Sequence, residues 1–440
     1  MDILTIDLET YYSPTYSLSK ITTEEYIRSP EFEVILLSVK KNNEPAEWFT
    51  GSMAETAEWL AQFDWKNSLA LAHNALFDGA ILSWHFDIHP KGWLDTLSMA
   101  RALHGTQVGG SLKALAKYYD VGEKGEEVVN AMGLRRADFP PVQLCKYAEY
   151  CVNDVNLTWD IFNLMAPEFP QSELRLIDLT LSMFIDPVLQ LDQNMLQRHL
   201  LNVHMAKHSL LTKISVEKEV LSSNQKFAEV LESYGVEVPM KISPTTGKET
   251  YAFAKGDEEF IALLEHENLK VQVLVAARLG VKSTLEEKRT ERFIAIGKRG
   301  PLPVPLQYYG AHTGRWSGTD QINLQNLPRG GVLKKAIVPP NGYVCVDSDS
   351  SQIEARTVAW LARQDDLVEA FENGEDVYCI MATAIYGRPI TKADKIERQV
   401  GKVVILGAGY GIGAAKLQTY LKMQAKVNLP VEECQHIVNT

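Results

Sequence analysis

The chain has 440 residues, 45% hydrophobic and 23% charged, the balance of a folded soluble protein with room for two to four domains. Its net charge of −12 and pI of about 5.4 exclude a globally basic nucleic-acid binder, so contact with any polyanion has to come from local patches. Five scattered cysteines without a CxxC pair, and the lack of any apolar run of ~18 residues, exclude a disulfide framework, a cysteine zinc site and a membrane-spanning helix. A cytoplasmic protein with reduced thiols is expected.

Residues 1–170 alternate strand-like and helix-like patterns, which predicts an α/β domain. Strands are expected at Ile3–Leu8, Phe32–Val39 and Leu69–His73. Helices are expected at Ala54–Phe63, Ala75–Trp84, Leu112–Tyr119 and Val142–Leu164, with Pro167 and Pro170 closing the last. Residues 171–300 read as mostly helical, with apolar residues three and four apart in Leu174–Phe184, Asp192–Val220 and Glu258–Leu279. Ser243–Lys248 (SPTTGK) is not a phosphate loop, because Ile242 stands where its first glycine belongs. Pro301, Pro303 and Pro305 lead into a polar third region, 301–440, where a strand Tyr343–Ser348 is expected before a run of helices. One basic patch stands out: Tyr386–Lys426 holds eight Lys/Arg against two Asp/Glu.

Asp7 and Glu9 lie two apart at the end of the first strand and so share a face. Alone they are equally well a solvated strand end. Asp78 follows one turn into the helix that begins near Asn74, where it would also suit the helix dipole. Tyr150 and Asp154 stack at i and i+4 on a later helix. Together the four carboxylates can converge on two hard cations, which prefer oxygen ligands. Two such cations ~3.5–4 Å apart activate a water and stabilise the leaving oxygen of a phosphodiester. Tyr150 can orient that water.

Order and spacing here resemble the DEDD 3′–5′ exonucleases of the tyrosine-bearing subtype, over Met1–Met165. The resemblance implies a ribonuclease-H-like fold and metal-dependent removal of 3′ nucleotides by Asp7, Glu9, Asp78, Tyr150 and Asp154. Asp95-Thr96 and Gly110-Ser111-Leu112 also resemble features of that fold, without an assigned role.

The C-terminal half carries a second constellation. Thr313-Gly314-Arg315 is followed by a donor-rich loop with Asn323, Gln325 and Asn326. Asp349 is expected to end a strand and open a helix, a natural place for a metal ligand, with Asp347 either assisting or simply solvated. Arg398, Lys402, Leu406 and Tyr410 recur every four residues, a drifting helix face with the two cations ~5–6 Å apart. Lys402–Ala415 (KVVILGAGYGIGAA) also looks locally like a dinucleotide-binding turn. Ile412 breaks that pattern, and too little strand-like sequence follows for the βαβ unit it requires.

Taken in order, these segments resemble the DNA polymerase I family (family A) over Gln171–Thr440, closest in flavour to phage-encoded members. The resemblance implies a multidomain α/β fold: an exonuclease domain (1–170), a helical thumb (171–300), and partial palm and fingers of a right-hand polymerase (301–440). It implies that Asp349 is a metal ligand, that Glu354 excludes ribonucleotides, and that Arg398 and Lys402 grip the triphosphate. It places Leu406 beside the incoming sugar and Tyr410 beside the templating base. It implies primer–template contacts from Arg315, Asn323, Gln325 and Asn326, and from a thumb tip at Lys282-Ser283-Thr284. The expected cofactors are two Mg²⁺ or Mn²⁺ ions per site. The expected partners are primer–template DNA, single-stranded 3′ ends and dNTPs, with no membrane.

Three departures bear on function. Leu406 stands where the family has Phe or Tyr, and Ser350 replaces the usual aromatic after the motif A aspartate. The third family motif, a His-Asp-Glu-like turn with the second metal-binding aspartate, does not occur. The polymerase site is therefore expected to be half built: either the chain is a truncated product or a second polypeptide supplies the rest of the palm. The rival expectations are a stand-alone Mg²⁺-dependent 3′–5′ exonuclease with a DNA-binding C-terminal half, and a non-catalytic DNA-binding partner.

Overall fold

The computed structural model describes every residue except 126–130, 215, 216, 244, 245, 255, 283, 284 and 440. It forms two compact units, Met1–Cys345 and Val346–Thr440.

A mixed five-stranded sheet organises the start of the first unit. Its strands are β1 (Ile3–Thr10), β2 (Val34–Lys41), β3 (Glu47–Phe49), β4 (Leu69–Ala72) and β5 (Gly92–Asp95), in the order β3-β2-β1-β4-β5. Central β1 pairs antiparallel with β2 and parallel with β4. Its alternation buries Leu4, Ile6 and Leu8 and leaves Asp7 and Glu9 on a partly open face. Pairing with β4 covers only Ile3–Thr5. Beyond it the two strands part, and the helix Ala75–Phe86 begins just past the end of β4. Crevices of this kind, at the carboxyl ends of parallel strands, are where α/β sheets hold ligands.

Asp95 explains how that helix starts. Its buried carboxylate accepts from the amides of Asn74 (2.8 Å) and Ala75 (3.3 Å), and from those of Leu97 and Ser98 at the head of the next helix, Thr96–His104. Asp95 thus caps one helix and braces another.

The helix Pro141–Met165 lies across β1 and β2 and buries Tyr147, Tyr150, Cys151 and Asp154. Proline at its first position costs no hydrogen bond. The apolar core runs on past Pro170 into the helix Gln171–Ile185, whose Ile177, Leu181, Phe184 and Ile185 belong to the same cluster. A second core joins the helices Gln193–Ile214 and Leu285–Arg299 through Leu196, Phe293 and Ile296. Between them, residues 217–282 fold around their own core of Leu221, Phe227, Leu231, Phe260 and Val275. Glu24, fully buried, receives Arg299 at 2.5 and 2.9 Å and Arg28 at 3.2 Å, and Asp320 caps the helix Thr23–Ile27 through the Thr23 amide at 2.5 Å. These charges fasten the helix Leu285–Arg299 and the connector after it to the sheet domain.

Several expectations are corrected. β3 and β5 were not expected: one is a three-residue edge, and the other is fully buried and too short to show alternation. The helix expected over Asp192–Val220 stops at Ile214. The one expected over Glu258–Leu279 is two, Glu258–Ala262 and Leu269–Lys282, because the Asn268 side chain accepts from the Lys270 amide (3.0 Å) and starts a new helix. Lys282 closes that helix, and Ser283 and Thr284 lie outside the described residues.

The expected strand Tyr343–Ser348 is not a strand. Residues 343–350 are irregular, and Tyr343, Val344 and Val346 are 74, 82 and 87% exposed. A strand needs a hydrogen-bonding neighbour, and among the described residues none pairs with this segment. The helix expected to open at Asp349 begins only at Ile353. The second unit is otherwise helical. Its centre is the pair Val377–Tyr386 and Lys395–Ala408, which touch at Gly401, where a Cβ would lie 2.2 Å from the Tyr378 carbonyl oxygen.

Candidate active site

Asp7, Glu9, Asp78 and Asp154 come together where β1 leaves β4. The two strand residues reach the site from the open face of β1. Asp78 reaches it from the first turn of Ala75–Phe86, where its carboxylate accepts from the Leu8 amide at 3.1 Å. Asp154 arrives from the long helix, on the face that also carries Tyr147, Tyr150 and Cys151. Cys151 Sγ lies 3.3 Å from Asp7 Oδ2, and the Tyr147 hydroxyl donates to Glu9 Oε2 at 2.5 Å. Ligand atoms of Asp7, Glu9 and Cys151 all lie within 4.8 Å of one another.

So many acids in one place repel. Burial, then Asp154, pushes the Asp7 carboxyl up to about 7. Burial, then Asp7, pushes Glu9 up to about 8, against the hydrogen bond from Tyr147. Burial and Asp7 hold Asp78 well above the usual carboxylate range. Burial and the same acids raise Tyr150 and Cys151, which keeps the phenol and the thiol protonated. The Lys124 ammonium pairs with Asp154 and lowers both Asp7 and Glu9. One lysine against four carboxylates leaves a deficit of positive charge. The donor set, carboxylate oxygens around a partly open crevice, fits hard divalent cations.

Sequence reasoning missed three members of this cluster. Tyr147 and Cys151 share the helix face of Tyr150 and Asp154, so their spacing was a usable signal. Lys124 sits in an irregular stretch, 121–125, and carried none. Tyr147 gives a direct test. In Y147F, Glu9 loses the donor that favours its ionised form, so its pKa rises further. Single-turnover metal-dependent activity of this site should fall roughly tenfold, and the acidic limb of its pH profile should move upward. An unmoved profile would show that Tyr147 only packs.

The remaining site residues fall in two places. In the first unit, Arg315 is exposed and follows a tight turn at Gly314. Nearby, Asn323 caps the turn Leu324–Asn326 through the Gln325 amide at 3.0 Å, and Gln325 Nε2 donates to the Trp316 carbonyl at 3.3 Å. In the second unit, Asp347 and Asp349 are exposed, and among the described residues no group of three metal-ligand side chains forms around them.

Arg398 and Lys402 share one helix face over the Tyr378 ring, 5.3 and 5.9 Å from its centre, and Arg398 Nε also donates to Asp376 at 2.8 Å. Tyr410 departs from the expected helix face. The helix ends at Ala408, and Tyr410 sits in the turn beyond, where its hydroxyl donates to Glu354 at 2.6 Å. Leu406 and Tyr410 border a cavity of about 470 Å³ with Lys416 and Tyr420.

Comparison with known proteins gives two family matches. The model for DNA polymerase family A matches residues 192–439, and a model for 3′–5′ exonucleases matches residues 21–170. The second match begins after Asp7 and Glu9, so their place rests on the geometry above. The DNA polymerase of Bacillus phage SP02 is 25% identical, over 95% of this chain and 70% of its own length. DNA polymerase I of Chloroflexus aurantiacus is 34% identical over 131 residues, 29% of this chain and 14% of that polymerase. The fold resembles the POL domain of Pol1 from M. smegmatis, solved in complex with DNA primer-template and dNTP. That likeness has a TM-score of 0.61 at 20% identity, over all of this chain and 72% of that one.

Proposed function

The chain belongs to DNA polymerase family A, and on that premise we propose that it is a DNA-directed DNA polymerase of replication whose first domain removes nucleotides from 3′ ends. The proposed domains are an exonuclease (1–170), a thumb (171–300), and palm and fingers (301–440). The observation that carries the reading is the convergence of Asp7, Glu9, Asp78 and Asp154 with Tyr150 at the mouth of the parted strands.

Asp7, Glu9, Asp78 and Asp154 would hold two divalent cations, Mg²⁺ or Mn²⁺, which when bound supply an acidified water and neutralise charge on the phosphate. The protein's own groups do the rest. Tyr150, kept protonated, orients the attacking water by hydrogen bonding. Tyr147 fixes Glu9. A cavity of about 380 Å³ beside Glu9, lined by Leu8, Tyr12, Phe77 and Tyr147, is sized for the terminal nucleotide and offers rings for its base to stack on. The water oxygen bonds to phosphorus as the bond to the preceding 3′ oxygen breaks, and a nucleoside monophosphate leaves.

For synthesis, Asp349 would hold cations, Arg398 and Lys402 would meet the triphosphate, and Glu354, Leu406 and Tyr410 would meet the incoming nucleotide. Arg315, Asn323, Gln325, Asn326 and Lys282 would contact primer–template. The shared face of Arg398 and Lys402 supports this assignment. A two-metal site takes carboxylates on both sides; beside Asp349, Asp347 or a second polypeptide would be candidates for the other. The proposed setting is the cytoplasm of a phage's host; among the described residues no helix is long and apolar enough to cross a membrane.

The test is a labelled primer–template with Mg²⁺, with and without dNTPs. Shortening without dNTPs is expected, and a primer left at full length would overturn the exonuclease assignment. Extension with dNTPs would show that Asp347 or another carboxylate of this chain completes the second site. Failure to extend even with the third family motif added in trans would favour a stand-alone exonuclease with a DNA-binding C-terminal half.

A further inference from the structure

Lys124 belongs to no motif, yet its position is closely defined. Gly122 takes φ +135°, and a Cβ there would lie 3.2 Å from Leu157 Cδ2, so the turn lies flat on the long helix. The Glu123 carbonyl accepts from Asn153 Nδ2 at 2.9 Å. Asn153 and Leu157 flank Asp154 on that helix. These two contacts, one and two residues before Lys124, deliver its ammonium to the Asp154 carboxylate and to a point 4.7 Å from the centre of the Tyr150 ring. Two groups that the exonuclease reaction uses directly are therefore held by a single cation.

We propose that Lys124 is a positioning residue of the exonuclease site: it holds Asp154 and Tyr150 in place before divalent cations enter, then turns to the substrate phosphate once they bind Asp154. The inference rests on the exonuclease reading above. The physical argument is competition. An ammonium and a metal ion cannot both neutralise one carboxylate at contact distance without repelling each other. The lysine stem is flexible, and the phosphate drawn into the same crevice offers it another anion. A cation that only competed with metal would leave excision at saturating Mn²⁺ unchanged when removed.

Two readouts separate these roles. The first is Mn²⁺ binding to the full chain without DNA, followed by electron paramagnetic resonance. Loss of the competing charge in K124Q should tighten binding by roughly tenfold. The second is single-turnover excision of a single-stranded 3′ end at saturating Mn²⁺, which should fall roughly 10- to 100-fold in the same variant. K124R, which keeps a cation, should lie between K124Q and the native chain in both. Tighter metal binding with slower excision is the signature of the proposal. Weaker or unchanged Mn²⁺ binding in K124Q would overturn it, as would excision equal to that of the native chain. If the native chain itself excises nothing, the exonuclease reading fails instead, while the Mn²⁺ arm still decides whether Lys124 competes with metal.

Discussion

Asp7→Asn should abolish 3′-end excision and at the same time stabilise the metal-free protein. Asp7 sits nearest the centre of the acid cluster: Glu9, Asp78 and Cys151 are all pushed upward by its charge, and Asp7 by that of Asp154. Removing one of the carboxylates that would hold the cations costs several kcal/mol of transition-state stabilisation, a loss of roughly 10³-fold in rate. The stability effect has a definite sign. The folded Asp7 carboxyl titrates at about 7 against an ordinary 3.8, and Glu9 at about 8 against 4.5. A group whose folded pKa is raised favours the folded state below its unfolded value, and that contribution is lost as pH rises through the folded value. Without metal, the native chain should therefore lose stability between about pH 4 and pH 8. Asp7→Asn removes one of those carboxylates and relieves Glu9. Thermal melts in EDTA should give the variant a higher Tm at pH 8 and no advantage at pH 4. Excision at the native rate, or a lower Tm at pH 8, would remove Asp7 from the centre of the site.

Gly401→Ala should unfold the centre of the second unit and leave excision untouched. The added Cβ would lie 2.2 Å from the Tyr378 carbonyl oxygen, 3.0 Å from the Ala382 amide nitrogen and 3.1 Å from Ala382 Cβ. Two of these are backbone atoms of the facing helix, so no side-chain rotation relieves the clash and the helices must separate. Overpacking of this kind costs about 1–3 kcal/mol, and more where backbone has to move. Separation also takes Arg398 from Asp376 and lifts Lys402 off the Tyr378 ring. Limited proteolysis should then cut within 377–408, and triphosphate binding by that face should be lost. Excision of single strands should stay at the native rate, because the carboxylate cluster lies in the first unit. Native protease resistance in Gly401→Ala would mean that the two helices do not need to pack this closely.

The convergence of the four carboxylates was largely legible in the sequence because its parts sit on regular elements. A strand puts Asp7 and Glu9 on one face by its period of two, and a helix stacks Tyr150 over Asp154 by its period of 3.6. What could not be read was whatever depends on loops. Lys124 reaches Asp154 only because Gly122 and Glu123 fix the path of an irregular segment, and no periodicity records that. β3 and β5 escaped because three and four residues give too little pattern. In the second half, Tyr343–Ser348 has the composition of a strand, but composition supplies no neighbour to pair with. The same limit applies to Tyr410: spacing of four placed it on a helix, but the helix ends at Ala408 and the chain turns through left-handed Gly411 just past it.

That unpaired segment has a consequence for how the protein behaves in the tube. Tyr343, Val344 and Val346 combine high strand propensity with exposed side chains, and among the described residues no strand pairs with them. Two copies meeting there could zip edge to edge, the first step of aggregation. Asp347 and Asp349 follow at once and set like charges against each other in any in-register stack, the part played by gatekeeper residues beside sticky strands. The same two carboxylates would thus guard the colloidal stability of the chain whenever they are not occupied with cations, and the guard weakens at high salt.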